Sequence, residues 1–256
     1  MRGRRGSAIC APHLPYTVGA ALFALSFLCL FMIRPIPRTE IGRSRNPWQQ
    51  MVDGLHYVRR NRLVLGAISL DLFAVLLGGA TAMLPVYARD ILHAGPEGLG
   101  HLRAAPAVGA TLTALFFAYR PLKHDVGVKM LGAVAVFGVA TIVFGFSRSM
   151  PLSLFCLFLL GAADMLSVYV RQSLIQLYTP NEMRGRVGAV SSLFISASNE
   201  LGETESGFLA ALIGPVAAVV GGGVGAILVT LLWARLFPEL RRARTFEPPK
   251  ELVQGP

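Results

Sequence analysis

The chain is short of charge. Asp, Glu, Lys and Arg make up 15% of its 256 residues, where a soluble domain carries about 25%. It has three cysteines, Cys10, Cys29 and Cys156. Two of these lie in apolar runs and none has redox or metal spacing, so no disulfide framework is implied. Five histidines are scattered through the chain, with no pair at metal-ligand spacing. There is no GxSxG, and no Gly-rich loop of the Walker type ending in Lys-Ser/Thr. These absences speak against a metal site, an acid–base or nucleophilic enzyme, and an ATP-driven pump built on this chain alone. No catalytic residue, metal ligand or cofactor is assigned.

What the chain has is apolar length. Hydrophobic residues reach 54% and the mean hydropathy is +0.56, which describes an all-α protein integral to a lipid bilayer. A membrane helix needs ~20 apolar residues, and about seven transmembrane helices are expected. They are Leu14–Ile33, Leu63–Tyr87, Leu99–Tyr119, Met130–Phe146, Leu152–Leu177, one from Val187 through a polar stretch at 199–205 into GFLAALIG, and Pro215–Leu236. The first follows a basic start but is longer than the ~7–15 residues of a signal-peptide core, and reads as a retained span. The net charge of +10 does not form one patch, so nucleic acid is not expected as a partner. Lys and Arg sit in the gaps between spans, 18 on one side and five on the other. The positive-inside rule makes the richer side cytoplasmic, in a multi-pass plasma-membrane protein with its C-terminus inside. Three arginines at the start then fall outside, which points to a chain that is part of a larger protein.

The connection 34–62 holds seven arginines. In its second half Met51, Val52, Leu55 and Val58 recur at helical spacing, with Asn46 as N-cap and Pro47 at the first helical position. This reads either as an amphipathic helix on the cytoplasmic surface with Trp48 at the headgroups, or as a solvated basic linker. Residues 1–13 form a basic leader and 237–256 a basic tail.

The functional signal is charge inside the spans. Asp71, Arg103, Asp164 and Arg171 lie at membrane depth, where a charge costs about 2.5–3.5 kcal/mol or more and marks a cavity or an internal pair. Asp164 and Arg171 project to one side of one helix, with Arg171 leaning back toward Asp164. The pair reads as transport machinery or as a structural ion pair. Glu200, Glu203 and Glu205 read as a proton-accepting cluster or as a hydrophilic helix end near Gly202. Gly221 and Gly225 are a small-xxx-small pair suited to helix packing.

Several stretches together carry a resemblance: NPWQQMVDGLHYVRRNR (46–62), DLFAVLLGGATAMLPVYARDIL (71–92), GPEGLGHLRAAPAVGA (95–110), PNEMRGRV (180–187) and SLFISASNELGE (192–203). Over nearly all of 14–240 the chain resembles the C-terminal half of a major facilitator superfamily transporter, in its enterobactin-exporter-like, secretion-effector branch. The resemblance implies two six-helix halves built from inverted repeats, with substrate handled between them. Residues 14–33 would be the last helix of the first half, 34–62 the cytoplasmic linker and 63–236 the six-helix half-bundle, with the remaining first-half helices as a missing partner. It also assigns cytoplasmic turn motifs to Asp125, Gly127 and Lys129, and to Arg184, Gly185 and Arg186. In the first of these turns Lys123, His124 and Val128 depart from the family pattern. The implied activity is secondary, proton-coupled efflux of a small amphiphilic compound, drug or siderophore-like. The competing reading is a non-transporting remnant or a subunit of a split transporter.

Overall fold

The computed structural model describes residues 14–32, 46–243 and 245–246. The leader, the arginine-rich start of the linker and most of the basic tail lie outside these residues. The chain divides into two units at Arg45/Asn46. The first contributes one apolar helix, α1 (Leu14–Phe31), with Phe27 and Phe31 in edge-on contact at 5.2 Å.

The second unit is a helical bundle. It comprises α2 (Pro47–Arg60), α3 (Arg62–Leu77), α4 (Gly95–Tyr119), α5 (Val126–Phe146), α6 (Met150–Tyr178), α7 (Asn181–Ile213), α8 (Pro215–Leu236) and the short α9 (Pro238–Arg242). Among the described residues five helical segments are long and apolar enough to cross a membrane: 62–91, α4, α5, α6 and α8. Of the other two expected spans, α1 has 18 residues, while α7 has 33 and carries the glutamates.

In lipid there is little hydrophobic force between helices, so close backbone approach holds a bundle together. The sequence provides this with glycine. A Cβ on Gly138 would stand 2.9 Å from the Gly223 carbonyl, and one on Gly223 2.7 Å from that of Gly138, so α5 and α8 meet backbone to backbone. Gly109 on α4 lies against the Phe158 carbonyl, and Gly161 on α6 against the backbone of Pro106. Spacing alone picks Gly221 and Gly225 as the packing pair on α8. However, a Cβ at Gly221 meets nothing, and Gly225 faces only the Leu77 side chain, 3.0 Å away. The close contacts fall to Gly222, against the Leu77 carbonyl of α3, and to Gly223, against α5.

Cross-helix contacts define a basic end of the bundle. There Tyr57 Oη donates to the Tyr178 carbonyl at 2.7 Å, Arg62 pairs with Glu239 at 3.2 Å, and the Gly127 N–H donates to the Ala243 carbonyl at 3.1 Å. At the opposite end Tyr87 stacks on Phe144 at 4.6 Å and donates to the Gly145 carbonyl at 2.8 Å. The helix α2 is capped by Asn46, whose side chain accepts from the Trp48 N–H at 3.2 Å. Most of its apolar stripe is covered by protein: Met51, Leu55 and Val58 pack with Ile68, Ile175, Val187 and Val190, while Trp48 and Val52 are exposed. Gly54 lies against the Arg186 backbone, and Arg186 reaches Asp53 at 3.4 Å, so α2 is docked on the start of α7.

Two elements depart from simple spans. The helix α3 stops at Gly78, and the chain continues through a 3-10 turn (Ala80–Met83), a single α turn and a π turn (Tyr87–Ile91). Gly78, Gly79 and Pro85 account for the break. The helix α7 does the reverse and runs without interruption through 199–205. The polar residues there do not end it. Glu and Leu are strong helix formers, and a Cβ on Gly202 would stand 2.9–3.0 Å from the Leu76 and Val75 carbonyls, where α3 crosses.

Candidate functional site

The site forms where α3 breaks. Helical backbone interrupted at membrane depth is tolerated only when buried or facing a cavity, and here a cavity of about 340 Å³ lies beside the break. Gly78, Gly79 and Thr81 supply one wall, and Pro106, Ala107 and Ala110 of α4 another. Phe137 of α5 and Leu160 and Gly161 of α6 provide apolar floor. Three polar side chains join them: Asp164 from α6, and Asn199 and Glu203 from α7.

A second, smaller cavity of about 10 Å³, room for roughly one water, shares Asp164 and Phe137 with the first and is also lined by Ser167 and Asp71. Asp71 sits on α3 and is engaged by Arg171 of α6. Both side chains are buried, at 6% and 3% exposure. The pairing differs from the one expected along α6. Arg171 is seven residues from Asp164, roughly 10 Å along the helix, which is too far for contact, whereas α3 presents Asp71 alongside. Measured along the helices from the basic end, the Asp71–Arg171 pair stands at roughly 10–13 Å, Asp164 at roughly 21 Å and Glu203 at roughly 33 Å. The carboxylates thus form a ladder, of which only the lowest is neutralised. Among the described residues Asp164 and Glu203 have no ion pair.

The remaining expected site residues fall elsewhere. Arg103 is exposed on α4, one turn from Ala107, and is not part of the cavity lining. Glu200 and Glu203 are both exposed, but only Glu203 lines the cavity, and Glu205 is half-buried. At the basic end Asp125 adopts a left-handed conformation (φ 53°) before α5, Gly127 is tied to Ala243, and Lys129 Nζ donates to the His124 carbonyl at 2.8 Å. Arg184 and Gly185 are exposed, while Arg186 holds α2. Asn199 and Ser167 are members of the site that sequence reasoning does not single out, because an amide and a hydroxyl at helical spacing look like any other helix residues.

Comparison with known proteins agrees with this architecture. A family model described as Major Facilitator Superfamily matches residues 6–203. The enterobactin exporter EntS of Citrobacter koseri is 28% identical over 236 residues, 91% of this chain and 55% of its own length. EntS of Escherichia coli O1:K1 is 26% identical over 235 residues, 91% and 56%, and that of Shigella boydii serotype 18 is 25% identical over 235 residues, with the same coverage. The chain spans about half the length of the curated relatives it matches. No solved structure matches it. With five helical segments among the described residues fit to span a bilayer and a family match over most of its residues, this chain belongs to the Major Facilitator Superfamily, a family of membrane transporters.

Proposed function

We propose that the chain forms the cavity-bearing half of a proton-coupled exporter that moves a small amphiphilic compound across the bacterial plasma membrane. The observation that carries this reading is Asp164, a half-buried carboxylate without an ion pair, on the wall of a cavity at a broken helix. Such a group alternates between a proton and a substrate contact at lower cost than one locked in a pair. That the relatives are named as exporters supports the direction. The positive-inside rule supports a basic end, and with it the C-terminus, at the cytoplasmic face. A second six-helix bundle would close the open side of the cavity, in keeping with relatives of which the matched 236 residues are 55%.

The test is efflux from cells producing the protein, with cationic ethidium, neutral Nile red and anionic fluorescein as probes. Efflux of at least one probe, collapsing when a protonophore is added, is expected. Asp164→Asn should lower that efflux about tenfold and flatten its pH dependence, since a carboxylate-to-amide change removes the titrating group while keeping its shape. Efflux that ignores both the protonophore and Asp164→Asn would contradict the proton-coupled reading.

A further inference from the structure

We propose that the cavity is selective for organic cations: its substrate carries a positive charge, held by Asp164 and Glu203 against apolar walls. The inference rests on the transport reading above and adds the chemical class of what is carried.

The lining sets the sign. It holds two carboxylates, one amide and one hydroxyl, and no lysine, arginine or histidine. The two arginines nearest in register do not offset them: Arg171 is engaged by Asp71, and Arg103 is exposed and outside the lining. Asp164 is half-buried and Glu203 is exposed, so it is Asp164 whose carboxylate is partly withdrawn from water with no counter-charge, which is costly. The contrast with Asp71 shows that this bundle neutralises a buried carboxylate where one is structural, and leaves Asp164 open.

A second feature points the same way. Ser167 is 3% exposed, yet its hydroxyl has no hydrogen-bond partner. It lines the small second cavity together with Asp164 and Asp71. A buried hydroxyl left unsatisfied at the edge of a cavity calls for a missing polar contact, such as a water ordered beside Asp164 or the polar head of a bound ligand. Phe137 borders both spaces, and an aromatic face favours a cation. The volume of about 340 Å³ lies at the lower end for drug-sized ligands. Geometry, charge and an orphaned hydroxyl therefore agree on a small lipophilic cation, and disfavour an acidic one.

The test uses an isosteric pair of probes, tetraphenylphosphonium and tetraphenylborate, which differ in the sign of their charge. Binding to the purified chain in lipid nanodiscs is followed by equilibrium dialysis against protein-free nanodiscs. Saturable binding of the cation is expected, with none of the anion. Asp164→Asn should weaken cation binding about tenfold, as loss of one charge-assisted contact would, and Glu203→Gln several-fold. Asp164→Glu, which keeps the charge and guards against a folding artefact, should retain it. Equal saturable binding of the anion, or cation binding unchanged in both Asp164→Asn and Glu203→Gln, would overturn the inference. If neither ion binds saturably, it is likewise overturned. The transport reading stands or falls separately, on whether any of the three efflux probes moves.

Discussion

Replacing Arg171 with leucine is expected to destabilise the bundle by about 3–5 kcal/mol, because it strands the Asp71 carboxylate in the interior. Asp71→Leu should cost a similar amount by stranding Arg171. Both side chains are almost fully buried, so solvent does not screen the loss. The pair joins α3 to α6 at the level where α5 also packs, next to a cluster that includes Leu70, Ala74, Val134, Val170 and Leu174. The double replacement Asp71→Asn with Arg171→Gln removes both charges and should recover most of the loss, since two neutral polar partners can hydrogen-bond where one lone ion cannot. Thermal unfolding in detergent, followed by circular dichroism, measures all four proteins. Single variants as stable as the starting protein would show that water reaches the pair.

A valine at Gly161 is the second large effect. The added Cβ would stand 2.6 Å from the Pro106 Cα and closer still to its carbonyl oxygen. Both are backbone atoms and cannot rotate away, so α4 and α6 must separate. Overpacking of this kind costs about 1–3 kcal/mol. A branched side chain there sits at the upper end, because Gly109 meets Phe158 one turn away on the same seam. The seam is also a cavity edge, since Pro106 and Gly161 both line it. Ligand binding should therefore fall together with the unfolding midpoint. At Gly221, where a Cβ meets nothing, the same change should leave both unaltered. Equal effects at the two glycines would contradict the packing assigned to them.

These two cases show what the sequence discloses and what it withholds. Spans such as 126–146 and 215–236 are legible because an apolar run near 20 residues has few other homes. The class of protein follows from that, and so does the presence of charges at depth. Partnership does not. Asp71 and Arg171 are a hundred residues apart, and only the packing of α3 on α6 makes them neighbours, while the nearer Asp164 is excluded by helical rise. Polarity at 199–205 lowers the local hydropathy enough to resemble a helix end. The continuity of α7 depends instead on helix propensity and on Gly202 fitting beneath α3, and the second of these is a tertiary fact. The apolar stripe of α2 was legible, but a stripe does not say whether protein or lipid covers it. Of the cavity, Asp164 and Glu203 were visible as intramembrane charges, whereas Ser167, Asn199 and the exposed position of Arg103 required the bundle.

The central claim is that Asp164 is the titrating carboxylate of a transport cavity. The measurement that addresses it most directly is proton movement in proteoliposomes. Vesicles containing the protein and a trapped pH dye are exposed to an inward gradient of whichever probe the cells export. The account predicts proton flux coupled to that gradient in the starting protein, and its loss in Asp164→Asn while the helical content and unfolding midpoint are retained. Coupled proton flux of undiminished rate in folded Asp164→Asn would contradict it.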